Sequence, residues 1–192
     1  MLSLLTSCTS NDNVSSTSIS KEKISSVLNE KNYETQKLKY SLLNKDEKFS
    51  IWNNKITSLI SNGNLNENQI SFLEDLKSNL NPNLFDECKK SDSREVFKVV
   101  KSLEYINKAK KLFSTQVINE TFYQITSTTP TNGLMDDGSS RMCNCSTGSS
   151  VTCALGGTVD MPIYCAKSKC NITPSNCGWL LMYDCNGVCK SY

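Results

Sequence analysis

Apolar residues recur at three- and four-residue spacing across much of the first two thirds of the chain. Phe49, Trp52, Ile56, Leu59 and Ile60 form one series, and Ile70, Leu73, Leu76 and Leu80 a second. Val96, Val99, Val100, Leu103, Ile106 and Phe113 form a third. This is the period of a helix that buries one stripe of its surface. The starts carry capping signals. Asn44 is followed three residues later by Glu47, Asn66 by Gln69 and Asp92 by Glu95, and the first two are capping-box patterns. Leu65 and Ile70 stand where a hydrophobic staple would close over the second start. Asn62-Gly63 and Asn81-Pro82 interrupt the pattern, and a weaker helix is expected around Tyr33 to Leu43. Residues 21–125 thus read as an antiparallel helical bundle with short connections.

The pattern then stops. Residues 126–141 (TSTTPTNGLMDDGSSR) have a linker's composition, which places a domain boundary there. Residues 142–192 have few charges and little helical periodicity. Eight of the ten cysteines lie in this stretch: Cys143, Cys145, Cys153, Cys165, Cys170, Cys177, Cys185 and Cys189. An even set at this density reads as a disulfide framework. So small a core does not offset its own ordering entropy, and each bridge supplies about 2–4 kcal/mol. Short strands and turns are expected. The fold class is therefore α plus a small disulfide-rich domain. Zinc is the alternative use of clustered cysteines, but no C-x2-C pair occurs and the chain contains no histidine. Eight cysteines allow about a hundred pairings, and spacing does not choose among them. Cys143 and Cys145 are expected to take different partners, because direct closure would be strained.

Composition narrows the functional classes. Net charge is +2, from 21 basic and 19 acidic residues, which gives no field suited to a nucleic-acid backbone. The lack of histidine removes Ser–His and Cys–His nucleophile pairs. No phosphate loop or cofactor motif is present, so no enzyme activity and no cofactor are expected. A disulfide framework implies an oxidising compartment. The N-terminus agrees with export: Leu5-Thr6-Ser7-Cys8 has the form of a lipoprotein signal in which Cys8 becomes lipidated. The preceding apolar run is short and lacks a basic region, so the reading is the tail of a signal that starts upstream. Residues 9–20 would then be a polar tether, completing an N-terminal segment 1–20. The expected location is the outer membrane or cell surface, with release outside the cell as a further outcome. Oligomeric state is left open.

At the cysteines the chain resembles a known family. Cys143-Asn144-Cys145-Ser146-Thr147 is followed by Cys170-x-x-Thr173-Pro174-x-x-Cys177-Gly178-Trp179, then by Asp184-Cys185-Asn186-Gly187. The order is similar to that of fulvocin C, a small cysteine-rich bacteriocin of myxobacteria. The helical part resembles the N-terminal region of the bacteriocin fulvocin C-related proteins of Bacteroidetes. The shared features there are a Trp-bearing helix (Glu47 to Ile60), a Leu-x-x-x-Gln helix and an Asn-x-x-Leu-Phe end (Asn81 to Phe85). The resemblance spans about residues 35–192, and the cysteines are its specific part. The loop from Cys153 to Cys165 is longer here, and Cys189 follows the Asn-Gly pair instead of preceding it. The resemblance implies a bacterial exported protein with antibacterial activity.

Two functional readings follow. In one, the cysteine-rich domain acts on competing cells, attached or after cleavage at Arg141-Met142, with the helical region as leader or carrier. In the other, an uncut lipoprotein displays a rigid disulfide domain to an unknown protein or glycan of the cell surface, and a lipid anchor supplies the membrane contact. Trp179, Leu180, Leu181, Met182 and Tyr183 form the candidate contact surface, or alternatively the apolar centre of the small domain. Cys88, beside two lysines, is either a reactive thiol or an inert one. Lys108, Lys110 and Lys111 either touch anionic lipid or face solvent and complement the helix dipole.

Overall fold

The computed structural model describes residues 19–86, 92–126, 143, 145–148, 163–171 and 173–191. Helices α1 (Lys21–Leu28), α2 (Tyr33–Ser41), α3 (Lys45–Asn62) and α4 (Glu67–Asn79) lead to a 3-10 turn at Pro82–Phe85. Then α5 (Asp92–Val96) runs through a π-helical turn (Phe97–Lys101) into α6 (Ser102–Leu112), and α7 (Thr115–Phe122) closes the helical part. Strands β1 (Ile163–Lys167), β2 (Thr173–Cys177), β3 (Tyr183–Cys185) and β4 (Gly187–Ser191) complete the chain. The fold is helical with a small disulfide-rich C-terminal unit, as the sequence indicates.

The capping signals act as read. Asn44 and Glu47 close a capping box on α3, and Asn66 and Gln69 close one on α4. Both boxes also link elements. Glu47 accepts from the Ser20 backbone N–H at the start of α1 (3.2 Å), and Gln69 donates to the Leu112 carbonyl at the end of α6 (2.7 Å). Gly63 caps the end of α3, where a Cβ would lie 2.6 Å from the Leu59 carbonyl oxygen and 2.9 Å from Leu65.

Two of the three apolar series face inward. Trp52, Ile56, Leu73, Leu76 and Leu80 are buried, and the Trp52 indole donates to the Tyr40 hydroxyl at 2.9 Å. The third series divides. Ile106 is buried, but Val96, Val99, Val100 and Leu103 are 46–68% exposed. The π turn is the reason. Ser102 donates its backbone N–H to the Phe97 carbonyl, five residues back, so one extra residue enters the rod. This shift lets Arg94 and Phe97 face the core up to the start of the turn, and Ser102, Tyr105, Ile106 and Ala109 after it. A strict 3.6-residue count does not anticipate it.

In the C-terminal unit β1 pairs with β4 and β2 with β3, both antiparallel, so one hairpin is nested inside the other pair. Cys145 bridges to Gly187 alongside. Gly187 admits no side chain, because a Cβ would sit 2.6 Å from the Ala166 carbonyl oxygen and 2.7 Å from Cys165 Sγ.

The helical part and the C-terminal unit share a core. Trp179 to Tyr183 belong to the same buried cluster as the helical side chains, and α2 and α7 pack directly on the C-terminal unit. Of the linker placed at residues 126–141, all but Thr126 lies outside the described residues. A shared core predicts a single cooperative thermal transition for the oxidised chain. Trp179→Ala should lower the stability of the whole molecule by about 3–5 kcal/mol, seen as one shifted calorimetric peak. Two peaks, with only the smaller one moved, would refute the shared core.

Candidate functional site

The site is the seam where the C-terminal unit enters the helical part. Its tip is a 3-10 turn at Trp179–Leu181 between β2 and β3. Gly178 begins it at φ 71°, a backbone conformation that favours glycine, and Leu180 and Leu181 follow at φ 52° and 53°. Bulky residues in this left-handed region cost on the order of 1 kcal/mol each. Burial offsets this, since Trp179, Leu180, Leu181 and Met182 are all buried. The Cys177–Cys185 bridge closes the hairpin below the tip.

The tip meets α7 first. The Trp179 ring stacks on Phe122 at 4.3 Å between centroids, with Tyr123 edge-on at 5.9 Å. Offset stacking adds about 0.5–1.5 kcal/mol beyond the area buried. Tyr183 reaches the π turn. Its hydroxyl and that of Ser102 are 2.7 Å apart, and both donate toward the Lys98 carbonyl. The Lys98 ammonium lies over the Tyr183 ring at 5.3 Å. Desolvation pushes the Tyr183 phenol up from its ordinary value.

Lys37 of α2 lies under the hairpin. Its Nζ is 3.6 Å from both Cys177 Sγ and Cys185 Sγ and 5.4 Å from the Tyr33 ring centroid. Only 5% of the residue is exposed, and disulfide sulfur is a weak acceptor. Burial therefore pushes the ammonium down to about 8, with Glu34 opposing. Nearby, Lys55 Nζ donates to the Glu120 and Gln124 carbonyls at 2.6 and 2.5 Å, tying α3 to the end of α7. Burial pushes Lys55 down to about 7, with Glu120 opposing. Gln36 completes the seam by donating to the Val27 carbonyl and to Thr126 Oγ1.

The cysteines pair as Cys143–Cys170, Cys145–Cys165 and Cys177–Cys185. Cys189 is also disulfide-bonded. Cys143 and Cys145 thus take different partners. With their sulfurs bonded in pairs, these residues are not thiolate ligands or nucleophiles, and they mark an oxidising environment. Cys153, Cys8, Cys88, Arg141 and Met142 lie outside the described residues. The candidate contact surface is corrected: Trp179, Leu180, Leu181, Met182 and Tyr183 are buried against the helices, because an apolar tip of this size is covered more completely by them than by the small unit alone. Lys37 and Lys55 were not anticipated. Tyr33, Lys37 and Tyr40 do share a helical face, but a lysine between two tyrosines reads as solvated.

Comparison with family models, with curated proteins and with solved structures finds no match.

Lys37 makes the seam pH-dependent. Its folded value is about 8 against 10.5 unfolded, so below pH 8 both states are charged and the burial penalty is fully present. Between pH 8 and 10.5 the unfolded chain holds the extra proton, and stability rises with pH. Lys37→Met should therefore be more stable than the parent at pH 7, on the order of 1–3 kcal/mol. That difference should shrink across pH 8 to 10.5 in urea titrations. A less stable variant, or a difference flat through this window, would contradict the assignment.

Proposed function

We propose that the chain is an exported bacteriocin-like protein whose C-terminal disulfide-rich unit carries antibacterial activity, and whose helical part keeps that unit's apolar tip covered. The observation that carries the reading is the burial of Trp179, Leu180, Leu181 and Met182 against the helices. Among the described residues of the C-terminal unit, this tip is the large apolar feature that a target could meet, and here it is out of reach. The cysteine order it shares with fulvocin C supports the same reading. Cleavage at Arg141-Met142 and separation of the parts would uncover the tip. Cys8 would hold the uncut protein at the bacterial cell surface through its lipid.

A second reading is favoured by the shared core. The uncut chain would be a non-enzymatic surface lipoprotein that presents its disulfide-rich unit to a protein or glycan partner. Cleavage would then only strand a buried apolar segment.

One experiment separates them. The intact mass of the native protein is measured from envelope and medium, and the oxidised full chain and the separated 142–192 fragment are tested on related bacteria. The masking reading predicts a released fragment with its bridges intact, inhibition by that fragment and none by the full chain. A single lipid-modified, full-length species, with an inactive fragment, would overturn it in favour of the second reading.

A further inference from the structure

The strongest unassigned feature is the face that the π turn rotates toward solvent. Val96, Val99, Val100 and Leu103 are 51%, 68%, 47% and 46% exposed. Their spacing is the one expected of a helix that buries a stripe, yet nothing among the described residues covers it. Contiguous exposed apolar stripes mark interaction surfaces. From Leu103 the same helical spacing runs on to Asn107, Lys110 and Lys111, all exposed. The stripe therefore passes from an apolar half into a cationic end over ~22 Å, at 1.5 Å per residue.

The charges along the rod sharpen this. Glu104 is paired with Lys101 at 3.1 Å, Glu95 approaches Arg94 at 3.8 Å, and Asp75 of α4 approaches Lys108 at 3.7 Å. The acidic groups beside the stripe are thus offset within the chain. Lys110 and Lys111 have no carboxylate partner among the described residues. No described helix is long and apolar enough to cross a bilayer, and an exposed stripe with an apolar half and a cationic end suits a helix lying on a surface.

We propose that the exposed face of α5–α6, from Val96 to Lys111, docks on an anionic lipid surface. Val99, Val100 and Leu103 enter the headgroup boundary, and Lys110 and Lys111 meet lipid phosphates. Charge complementarity selects this occupant. An anionic bilayer offers a broad apolar layer beneath negative charge, which matches a stripe that is apolar from Val96 to Leu103 and cationic at Lys110 and Lys111. The inference is independent of what the C-terminal unit does.

The test uses the full chain carrying Cys8→Ser, so that no acyl chain contributes. Binding is measured by co-sedimentation with vesicles of phosphatidylglycerol and phosphatidylcholine, and with phosphatidylcholine alone. Binding is expected to the anionic vesicles, weakening with salt. Val100→Ser/Leu103→Ser and Lys110→Gln/Lys111→Gln should each weaken it by about tenfold or more, with unchanged thermal melts because these side chains are exposed. Leu42→Ser, at a still more exposed leucine beyond α2, should bind as the parent does. Failure to bind anionic vesicles, parental binding by both double variants, or equal loss in the Leu42 variant would overturn the proposal. A dimer in sedimentation that the Val100/Leu103 variant abolishes would overturn it in favour of self-association.

Discussion

The stacking of Trp179 on Phe122 is the contact on which the rest of the structure depends. It joins a hairpin tip near the C-terminus to the last helix of the bundle, and every neighbouring contact follows from that placement. With the indole seated, the Tyr183 hydroxyl falls beside Ser102 and the Lys98 carbonyl, and the Cys177–Cys185 bridge comes to rest over Lys37. The disulfides hold the hairpin's shape, and the helices supply the apolar environment that makes its left-handed leucines tolerable.

The seam is apolar in its mass and imperfect in its polar groups. The Trp179 indole nitrogen and the Tyr123 hydroxyl are buried without a hydrogen-bond partner among the described residues, each costing on the order of 1–3 kcal/mol. Lys37 adds an ammonium facing sulfur instead of a carboxylate. An interface selected only for strength would have settled these groups.

Much of the helical part was legible because its signals are local. Asn44 with Glu47 and Asn66 with Gln69 cap helices through hydrogen bonds three residues apart, and Trp52, Ile56, Leu73 and Leu76 obey a period that a linear chain displays. The C-terminal cysteines announced bridges for the same reason, but their pairing depends on how β1 to β4 fold together and was not legible. The exposed valines were misread because the π turn inserts one residue, and its benefit is tertiary: it lets Arg94 reach the Leu84 carbonyl and still turns Tyr105 and Ile106 inward. The Trp179–Tyr183 run read either as a contact surface or as the apolar centre of the small unit, and it is buried against the helices of its own chain. The packing of the tip on α7 left no local signal, because α7 lies about sixty residues earlier than the tip.

Hydrogen exchange followed by mass spectrometry on the oxidised full chain tests the central claim most directly. If the tip and the bundle share one core, the amides of β3 and those of α7 open with the same free energy, and Phe122→Ala lowers both together. Protection of β3 that survives Phe122→Ala while α7 loses its own would show two independently folded parts, and would contradict the account.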